Sequence, residues 1–467
     1  MFKKTLLAIS FLTILPASAM ADISRLQSLL AVTPEGGWVQ ANTTTYSSAW
    51  ATGAAAAPPT PGGPASVVTA WSSFAWDSTR NDLLLWGGGH ANYAGNEMYV
   101  WDGGTGAWTR GSLSSRIDAN NFVVDNAAPQ SSHTYDNNVY LPVNDRFVTF
   151  GGAAYNSGGV FTSADGREGP WLWDPTKADA NRVGGTTGSG YDPTSLGGEM
   201  WTNRQSVLNG SEPGSYLMGT TAYRTENGKD VVYLTGDQNS SGRPSLYRYT
   251  FGDVKNGEAD TLEVVGVMWD AAGGTGAATI DTANELYVRS AWGDVYGDFA
   301  VWDLSKSNAA DPNSNREIKV DLVRADGSAF EMNANYGVDY DAANGKIYLW
   351  DGAAMGNVWS VDVGVDAGGN VLDTWVVSEL FSTTAAQPSG GFPDGNGVLG
   401  KWKYVSELEA FVTMDRYDTL TGDAEIWLYK PFAEALTAIP EPGTYPMLLA
   451  GLGLLVIGRI GRRQRIG

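Results

Sequence analysis

Residues 74–109 carry the pattern that decides the fold, and they read FAWDSTRNDLLLWGGGHANYAGNEMYVWDGGTGAWT. Short aliphatic and aromatic runs alternate with a polar turn, a glycine-rich loop and a second glycine-rich turn. Apolar runs of about four residues that end in turn residues predict β-strands. The stretch therefore predicts a unit of four antiparallel strands.

The same unit recurs along the chain. Further copies begin near residues 133, 221, 278, 338 and 398, and helical periodicity is nearly absent between residues 36 and 430. Units of about 50 residues repeated around an axis form a β-propeller, which leaves few exposed sheet edges. We therefore expect an all-β, six-bladed β-propeller over residues 36–432, with seven blades as the less favoured count.

The last copy lacks a fourth strand, because Lys430 and Pro431 lead directly into the C-terminal segment. Residues 36–40 precede the first full copy and have the apolar character of the missing strand. Since the chain contains no Cys, no disulfide can close the ring. We expect the N-terminal strand to pair into the last blade and close it without a covalent bond.

Double glycines follow the predicted second strand at residues 87–88 and 151–152, with Tyr99 and Trp108 at later positions of the first copy. This arrangement resembles the kelch motif and the propeller of the galactose-oxidase type. In that family the copper site uses a Tyr cross-linked to a Cys, a second Tyr and two His. The absence of Cys excludes that radical cofactor, and we predict no cofactor.

Residues 1–21 have the form of a secretory signal peptide. Lys3 and Lys4 precede an apolar run at residues 6–15, and small residues follow at 17–21. We therefore expect export across the inner membrane.

Residues 439–467 form a second targeting segment. Pro440, Glu441 and Pro442 are followed by an apolar stretch at residues 445–457 and then by four Arg. The segment resembles the PEP-CTERM sorting signal of Gram-negative bacteria. The resemblance implies processing by exosortase and a place on the cell surface, in the extracellular matrix or in the medium. A simple membrane anchor is the alternative, and in either case the membrane is met only through this short transmembrane helix.

The charge excludes one class of partner. With 51 Asp and Glu against 30 Lys and Arg, the formal net charge is −21. Such a surface repels phosphate backbones and anionic lipid headgroups. We predict no nucleic-acid binding.

His90 and His133 are the only His in the chain. In a propeller, the loop after the second strand and the loop that leads into the next first strand lie on one face, so both His should meet at one end of the axis. The other candidate ligand-binding residues on this face are Asn92, Tyr93, Tyr135, Trp201, Trp292 and Trp402.

Three interpretations of the His pair stay open: loop-fixing hydrogen bonds, a saccharide pocket, or acid/base and metal chemistry. Two His alone make a weak zinc site, so no metal is predicted. PEP-CTERM proteins accompany exopolysaccharide production, and the resemblance therefore implies a glycan partner.

We predict a binding or scaffold module for glycan or exopolysaccharide. The alternative is a secreted carbohydrate-active enzyme that uses the His90/His133 face. Its carboxylates would come from Glu199, Asp237, Asp294 or Glu331.

Overall fold

The computed structural model describes residues 23–56, 62–120, 122–155, 169–186, 196–205, 208–209, 219–235, 245–268, 275–290, 297–333, 335–353, 356–390 and 396–433. The chain divides into two compact units, residues 1–431 and 432–467. The predicted signal peptide and sorting segment lie outside the described residues. No helix within the described ranges is long and apolar enough to cross a membrane.

The described part of the first unit is built almost entirely of strands. Two helices, α1 (Ser24–Val32) and α2 (Ser66–Thr69), lie near its N-terminus. The strands are β1 (Gly37–Gln40), β2 (Phe74–Asp77), β3 (Asp82–Leu85), β4 (Tyr99–Asp102), β5 (Ala107–Arg110), β6 (Ser132–His133), β7 (Asn138–Leu141), β8 (Arg146–Thr149), β9 (Ala153–Ala154), β10 (Trp171–Trp173), β11 (Arg182–Val183), β12 (Leu196–Gly197), β13 (Trp201–Asn203), β14 (Leu208–Asn209), β15 (Thr220–Glu226), β16 (Lys229–Thr235), β17 (Ser245–Thr250), β18 (Asp260–Val267), β19 (Ala278–Asp281), β20 (Leu286–Ser290), β21 (Phe299–Asp303), β22 (Ile318–Arg324), β23 (Gly337–Asp341), β24 (Lys346–Trp350), β25 (Val358–Asp362), β26 (Thr374–Leu380), β27 (Trp402–Val405), β28 (Ala410–Met414) and β29 (Ile426–Lys430).

Most strands form antiparallel meanders. The larger sheets among the described residues have the orders β2-β3-β4-β5, β13-β10-β8-β7, β14-β18-β17-β16-β15, β19-β20-β21-β22-β26-β25-β24-β23 and β1-β29-β28-β27. The eight-stranded sheet consists of two meanders joined by a parallel pairing of their last strands, β22 and β26. The sequence pattern gave no sign of this junction.

The N-terminal strand pairs where the sequence predicted. β1 runs antiparallel to β29, with Trp38 opposite Tyr429. The two rings pack with their centroids 4.9 Å apart, and the indole N–H of Trp38 donates to the Gly356 carbonyl at 2.8 Å. The first strand of the unit therefore completes the sheet that contains its last strand.

Hydrophobic cores lie between successive sheets. One core joins β2–β5 to β7–β13, a second joins that sheet to β15–β18, and two more continue to β19–β22 and β23–β26. A further core packs β27–β29 against β2–β5. The strands β2, β7, β15, β19, β23 and β27 contact one another in sequence along the inner side. The result is a propeller-like all-β fold with an axis lined by these six inner strands.

The predicted first strands of the copies that begin near residues 133 and 398 were wrong in position. Residues 133–136 and 398–401 are not the inner strands, which are instead β7 and β27. Tyr135 and Leu399 have φ angles of 49° and 51°, and such left-handed residues interrupt an extended strand. Both segments turn across one end of the axis before the inner strands begin.

Candidate functional site

Four side chains meet at one end of the axis, and we call Trp71, His90, Asn92 and His133 the axial cluster. The His133 ring lies between those of Trp71 and His90, at centroid distances of 4.8 and 5.3 Å and interplanar angles of 34° and 28°. Nε2 of His133 is 2.9 Å from Oδ1 of Asn92. The structure thus brings the two His of the sequence-based hypothesis together.

Local backbone geometry places both His. His133 lies in β6, which pairs with β9 so that His133 is opposite Ala153. Gly89 passes so close to this segment that a Cβ on it would lie 2.4 Å from the Ser131 carbonyl oxygen. His90 follows with a φ of 43°, in a left-handed turn that directs the loop back over β6. Gly89 is therefore required for the close approach of the two rings.

His133 is a neutral ring at physiological pH. Its side chain is buried, with 3% relative exposure, and burial lowers its pKa to about 3, helped by the neighbouring His90 and opposed by a backbone hydrogen bond to Gly89. A neutral imidazole carries one ring proton, so His133 can donate one hydrogen bond and accept one. His90 is exposed, so the cluster presents one solvent-facing imidazole supported by one buried imidazole.

Tyr135 supports the cluster from below. It is buried, its ring meets that of His133 edge-on at 6.1 Å, and its backbone N–H donates to the Trp71 carbonyl at 2.7 Å. Leu399 and Ala153 pack against it. Tyr135 therefore belongs to the framework beneath the site.

The remaining predicted site residues lie elsewhere. Tyr93 is fully buried and its hydroxyl donates to Glu97. Trp201 packs edge-on against Trp86 at 5.7 Å inside a sheet-to-sheet core. Trp402 is fully buried and stacks on Phe411 at 4.4 Å and 6°.

Trp292 and the sorting residues Pro440, Glu441 and Pro442 lie outside the described residues. The placement of the other residues leaves His90, Asn92 and His133 as the predicted side chains that meet at the site.

Sequence reasoning missed Trp71. Trp71, Tyr135 and Leu399 each stand three residues before an inner strand, β2, β7 or β27, and have φ angles of 44°, 49° and 51°. When the copies are aligned on the observed inner strands, Trp71 and Tyr135 occupy equivalent positions. The sequence-based alignment placed the first strands of two copies too early, so this equivalence was not recognised.

A charged network lies inside the axis beneath the cluster, and we call Asp136, Asp339 and Lys403 the axial network. The Lys403 ammonium donates to Oδ1 of Asp136 at 2.9 Å, and Oδ2 of Asp136 accepts from the Ala278 backbone N–H at 2.9 Å. Burial raises the pKa of Asp136 despite the attraction of Lys403, whereas the two carboxylates raise the pKa of Lys403 against the effect of burial.

Asp339 links three inner strands. Its Oδ1 accepts from the Thr279 hydroxyl at 2.6 Å and from its neighbouring Tyr340 N–H at 2.9 Å, and its Oδ2 accepts from the Tyr404 N–H at 2.7 Å. Both of its oxygens are therefore hydrogen-bonded. The axial network ties β19, β23 and β27 to the segment before β7.

Lys401 closes the same end of the axis. Its side chain is fully buried, and its ammonium donates to the Ser72 carbonyl at 2.9 Å. Burial lowers its pKa to about 7. The segments that precede β2, β7 and β27 are thus joined to one another across the axis.

The other end of the axis holds a cavity of about 440 Å³. It is lined by β2, β7, β15, β19, β23 and β27 and by the turns that follow several of them. Lys403 and Asp339 lie in its lining, whereas the axial cluster does not. The two ends of the axis are therefore separate environments.

No group of three or more His, Asp or Glu side chains within the described ranges is arranged to hold a metal ion. The acids Asp237 and Asp294 lie outside these ranges. Glu199 and Glu331 are exposed, and Glu199 offers its carbonyl to Lys177. Among the residues that the structure describes, the hydrogen-bond and ring contacts of the His pair involve no carboxylate.

The chain is similar to several known proteins at low identity. It resembles the α-L-arabinofuranosidase Arb93A from Fusarium graminearum, at 12% identity and a TM-score of 0.40, over 75% of this chain and 90% of that one. It also resembles an α-L-arabinanase from Penicillium chrysogenum, at 12% identity and a TM-score of 0.39, with the same coverage. A third similarity is to the Aleuria aurantia lectin AAL, at 11% identity and a TM-score of 0.38, over 79% of this chain and 99% of that one.

No curated protein matches the sequence. The family described as the PEP-CTERM protein-sorting motif matches residues 438–465. The kelch-type assignment stays a prediction. The sorting motif marks the chain as an exported protein of a Gram-negative bacterium that is processed by exosortase and destined for the cell surface or secretion.

Proposed function

We propose that the protein is an exosortase-sorted, six-bladed propeller that binds glycan or exopolysaccharide through the axial cluster. In this proposal the eight-stranded sheet contributes two blades, β19–β22 and β23–β26, and β1 completes the last blade. The protein would serve as a binding or scaffold module at the cell surface or in the extracellular matrix.

The observation that carries the proposal is the arrangement of the axial cluster. A partly buried indole, two imidazoles and an amide lie within contact distance, and His90 and Asn92 are accessible to solvent. Aromatic rings provide flat apolar surface, while imidazole and amide groups donate and accept hydrogen bonds in fixed directions. This combination suits a sugar ring with its hydroxyl groups.

The electrostatics favour binding over catalysis. An acid/base residue works best with a pKa near the operating pH, and the pKa of His133 is lowered to about 3. A glycosidase of the usual kind needs two carboxyl groups beside the bond that it cleaves. Within the described residues, the other side chains that hydrogen-bond to or pack against the two imidazoles are Trp71, Asn92 and Tyr135.

A glycan panel tests the proposal. The purified full chain and its His90→Ala and Asn92→Ala variants should be compared for binding to immobilised polysaccharides and oligosaccharides. Loss of one or two hydrogen bonds should weaken binding by about tenfold. Asn256→Ala is the matched control, because Asn256 is an exposed amide in the turn between β17 and β18.

Equal binding by the wild type, His90→Ala and Asn92→Ala would refute the axial cluster as the site. The same incubations should be analysed for released sugars by chromatography. Product formation that is lost in His90→Ala would replace the binding proposal with the enzyme alternative.

A further inference from the structure

We propose that the cavity at the other end of the axis is a second ligand site, for a neutral polyhydroxylated molecule of monosaccharide to disaccharide size. This inference concerns different residues from the axial cluster and does not rest on the proposed function. The cavity lies where the inner strands end in their hairpin turns, on the side of the axial network away from the His pair.

The size of the cavity suits a small ligand. Its volume of about 440 Å³ falls within the range of roughly 300–1,000 Å³ that is typical of small-molecule sites. Exposed turn residues, among them Thr282, Ala342 and Ser406, belong to its lining. The cavity therefore reaches the protein surface, and a ligand can enter between the turns.

Aromatic side chains form much of the wall. Five of the six inner strands contribute to it: β2 supplies two aromatic residues, and four other strands supply one each, namely Phe74, Trp76, Tyr140, Tyr223, Tyr340 and Tyr404. The hydroxyls of Tyr140 and Tyr223 donate to Asp145 and Asp230 at 2.7 and 2.8 Å. Since these carboxylates occupy the phenol groups, the rings offer mainly apolar surface of the kind on which sugar rings pack.

The inner end of the cavity supplies hydrogen-bond donors. The Lys403 ammonium has three N–H groups and donates one of them to Asp136. Lys403 also lines the cavity, so its remaining N–H groups are available to a ligand oxygen. Ser78 and Thr221 belong to the same lining, and the Thr221 hydroxyl already donates to the Asp136 carbonyl.

The charges on this wall select against charged ligands. Lys403 repels a cation at the inner end, while Asp339 in the lining and Glu407 near the turns repel an anion. Oδ1 of Asp339 already accepts two hydrogen bonds and Oδ2 accepts one, so this carboxylate has little remaining acceptor capacity for an ammonium ligand. A neutral ligand is repelled neither by the ammonium of Lys403 nor by the carboxylates of Asp339 and Glu407.

The test uses the full chain and matched sugars. Saturation-transfer NMR and calorimetry should be run with glucose, galactose, cellobiose and maltose, and with glucosamine and glucuronate as charged counterparts of glucose. We expect binding of at least one neutral sugar, and binding about tenfold weaker for its charged counterparts because of the uncompensated charge.

Two variants localise the binding. Ala342→Trp places a large side chain at the mouth of the cavity, at an exposed turn residue outside the hydrophobic cores. Ala343→Trp is the matched control, because Ala343 is exposed in the same turn but does not line the cavity. Ala342→Trp should abolish saturation transfer from the neutral sugar, whereas Ala343→Trp should retain it.

Three results would overturn the inference: no binding of any neutral sugar, equal binding by Ala342→Trp and Ala343→Trp, or tighter binding of a charged counterpart. The outcome is independent of the glycan panel. Ala342→Trp leaves the axial cluster intact, and His90→Ala leaves the cavity intact.

Discussion

The two ends of the axis are built on the same six inner strands but differ in how the chain reaches them. At the cluster end, the segments before β2, β7 and β27 cross the axis, and Lys401 and Asp136 bind them to one another and to neighbouring strands. At the other end, the inner strands pass into short hairpin turns that leave a cavity of about 440 Å³.

This difference shows that the repeated strands alone do not determine whether an end of the axis is closed or open. The repeated strands create a lined channel, and the turns that precede three of the six inner strands close one end of it. The closed end can hold side chains in fixed positions, as in the contacts of the His133 ring with those of Trp71 and His90. The other end retains space for a ligand.

Among the changes that test the difference between the two ends, the removal of Asp136 should have the largest effect on the free energy of unfolding. Asp136 is fully buried and 19% of the Lys403 side chain is exposed, so Asp136→Ala leaves a half-buried ammonium without its hydrogen-bond partner. The loss of one member of a fully buried ion pair costs about 3–5 kcal/mol, and this is the upper limit here. Urea denaturation followed by circular dichroism should show the corresponding fall in the free energy of unfolding. The double variant Asp136→Ala/Lys403→Met should recover part of it, and no recovery would argue against the ion pair as the cause.

At the cluster end, the protonation of His133 should make the free energy of unfolding depend on pH. Its pKa is about 3 in the folded protein and about 6.5 in the unfolded chain, so the unfolded state binds more protons between these values. The contribution of His133 to the free energy of unfolding is fully present above pH 6.5 and is lost as the pH falls towards 3.

The His133→Gln variant should show a shallower decline than the wild type between pH 6.5 and 4. NMR titration provides a direct check, since the chain has only two His. An imidazole pKa above 6 for both rings would contradict the buried, neutral state of His133.

Lys401 should produce a second pH dependence in a different window. Its pKa is about 7 in the folded protein and 10.5 when unperturbed, so this group favours folding increasingly as the pH rises from 7 to 10.5. Lys401→Met should remove that rise in the urea midpoint. Lys255→Met is the control because Lys255 is exposed in a turn, and the same slope in both variants would show that Lys401 is not responsible.

The smallest expected effect concerns the loop of the axial cluster. Ala91 is exposed and has a φ of 62°, a conformation that costs an L-residue about 1–2 kcal/mol relative to glycine. Ala91→Gly should therefore stabilise the protein, by about 0.5 kcal/mol after the greater freedom of glycine in the unfolded chain is taken into account. Ala343→Gly should not stabilise it, and a stability loss in Ala91→Gly would show that the loop is not strained.

Much of the fold could be predicted from local patterns. Apolar runs between turn residues located most strands, and the apolar segment at residues 36–40 identified the partner of β29. In one of the two misplaced copies, residues 133–136 end in Tyr-Asp as β2 ends in Trp-Asp, and this similarity suggested a first strand there. The turn at Tyr135 depends on contacts with Trp71 and Leu399, which are distant in sequence.

The candidate site was predicted only in part. The loop positions of His90 and His133 indicated that they would meet, whereas the aromatic residues Trp201 and Trp402 were taken for surface residues and are buried in cores. The local sequence does not distinguish an exposed Trp in a loop from a buried Trp at the start of a strand, because the two have similar neighbours in the chain.

The sequence by itself determined the strand repeats, the acidic charge and the sorting motif, because each depends on residues that are close together in the chain or on composition alone. It also indicated the strand that closes the last sheet, because the last copy lacks one strand and an apolar segment is left over before the first copy. Only the tertiary structure decided which end of the axis is closed, that His133 is neutral and buried, and that Lys403 lies between Asp136 and Asp339. These properties depend on desolvation and on contacts between residues hundreds of positions apart, and both arise only when the sheets pack around the axis.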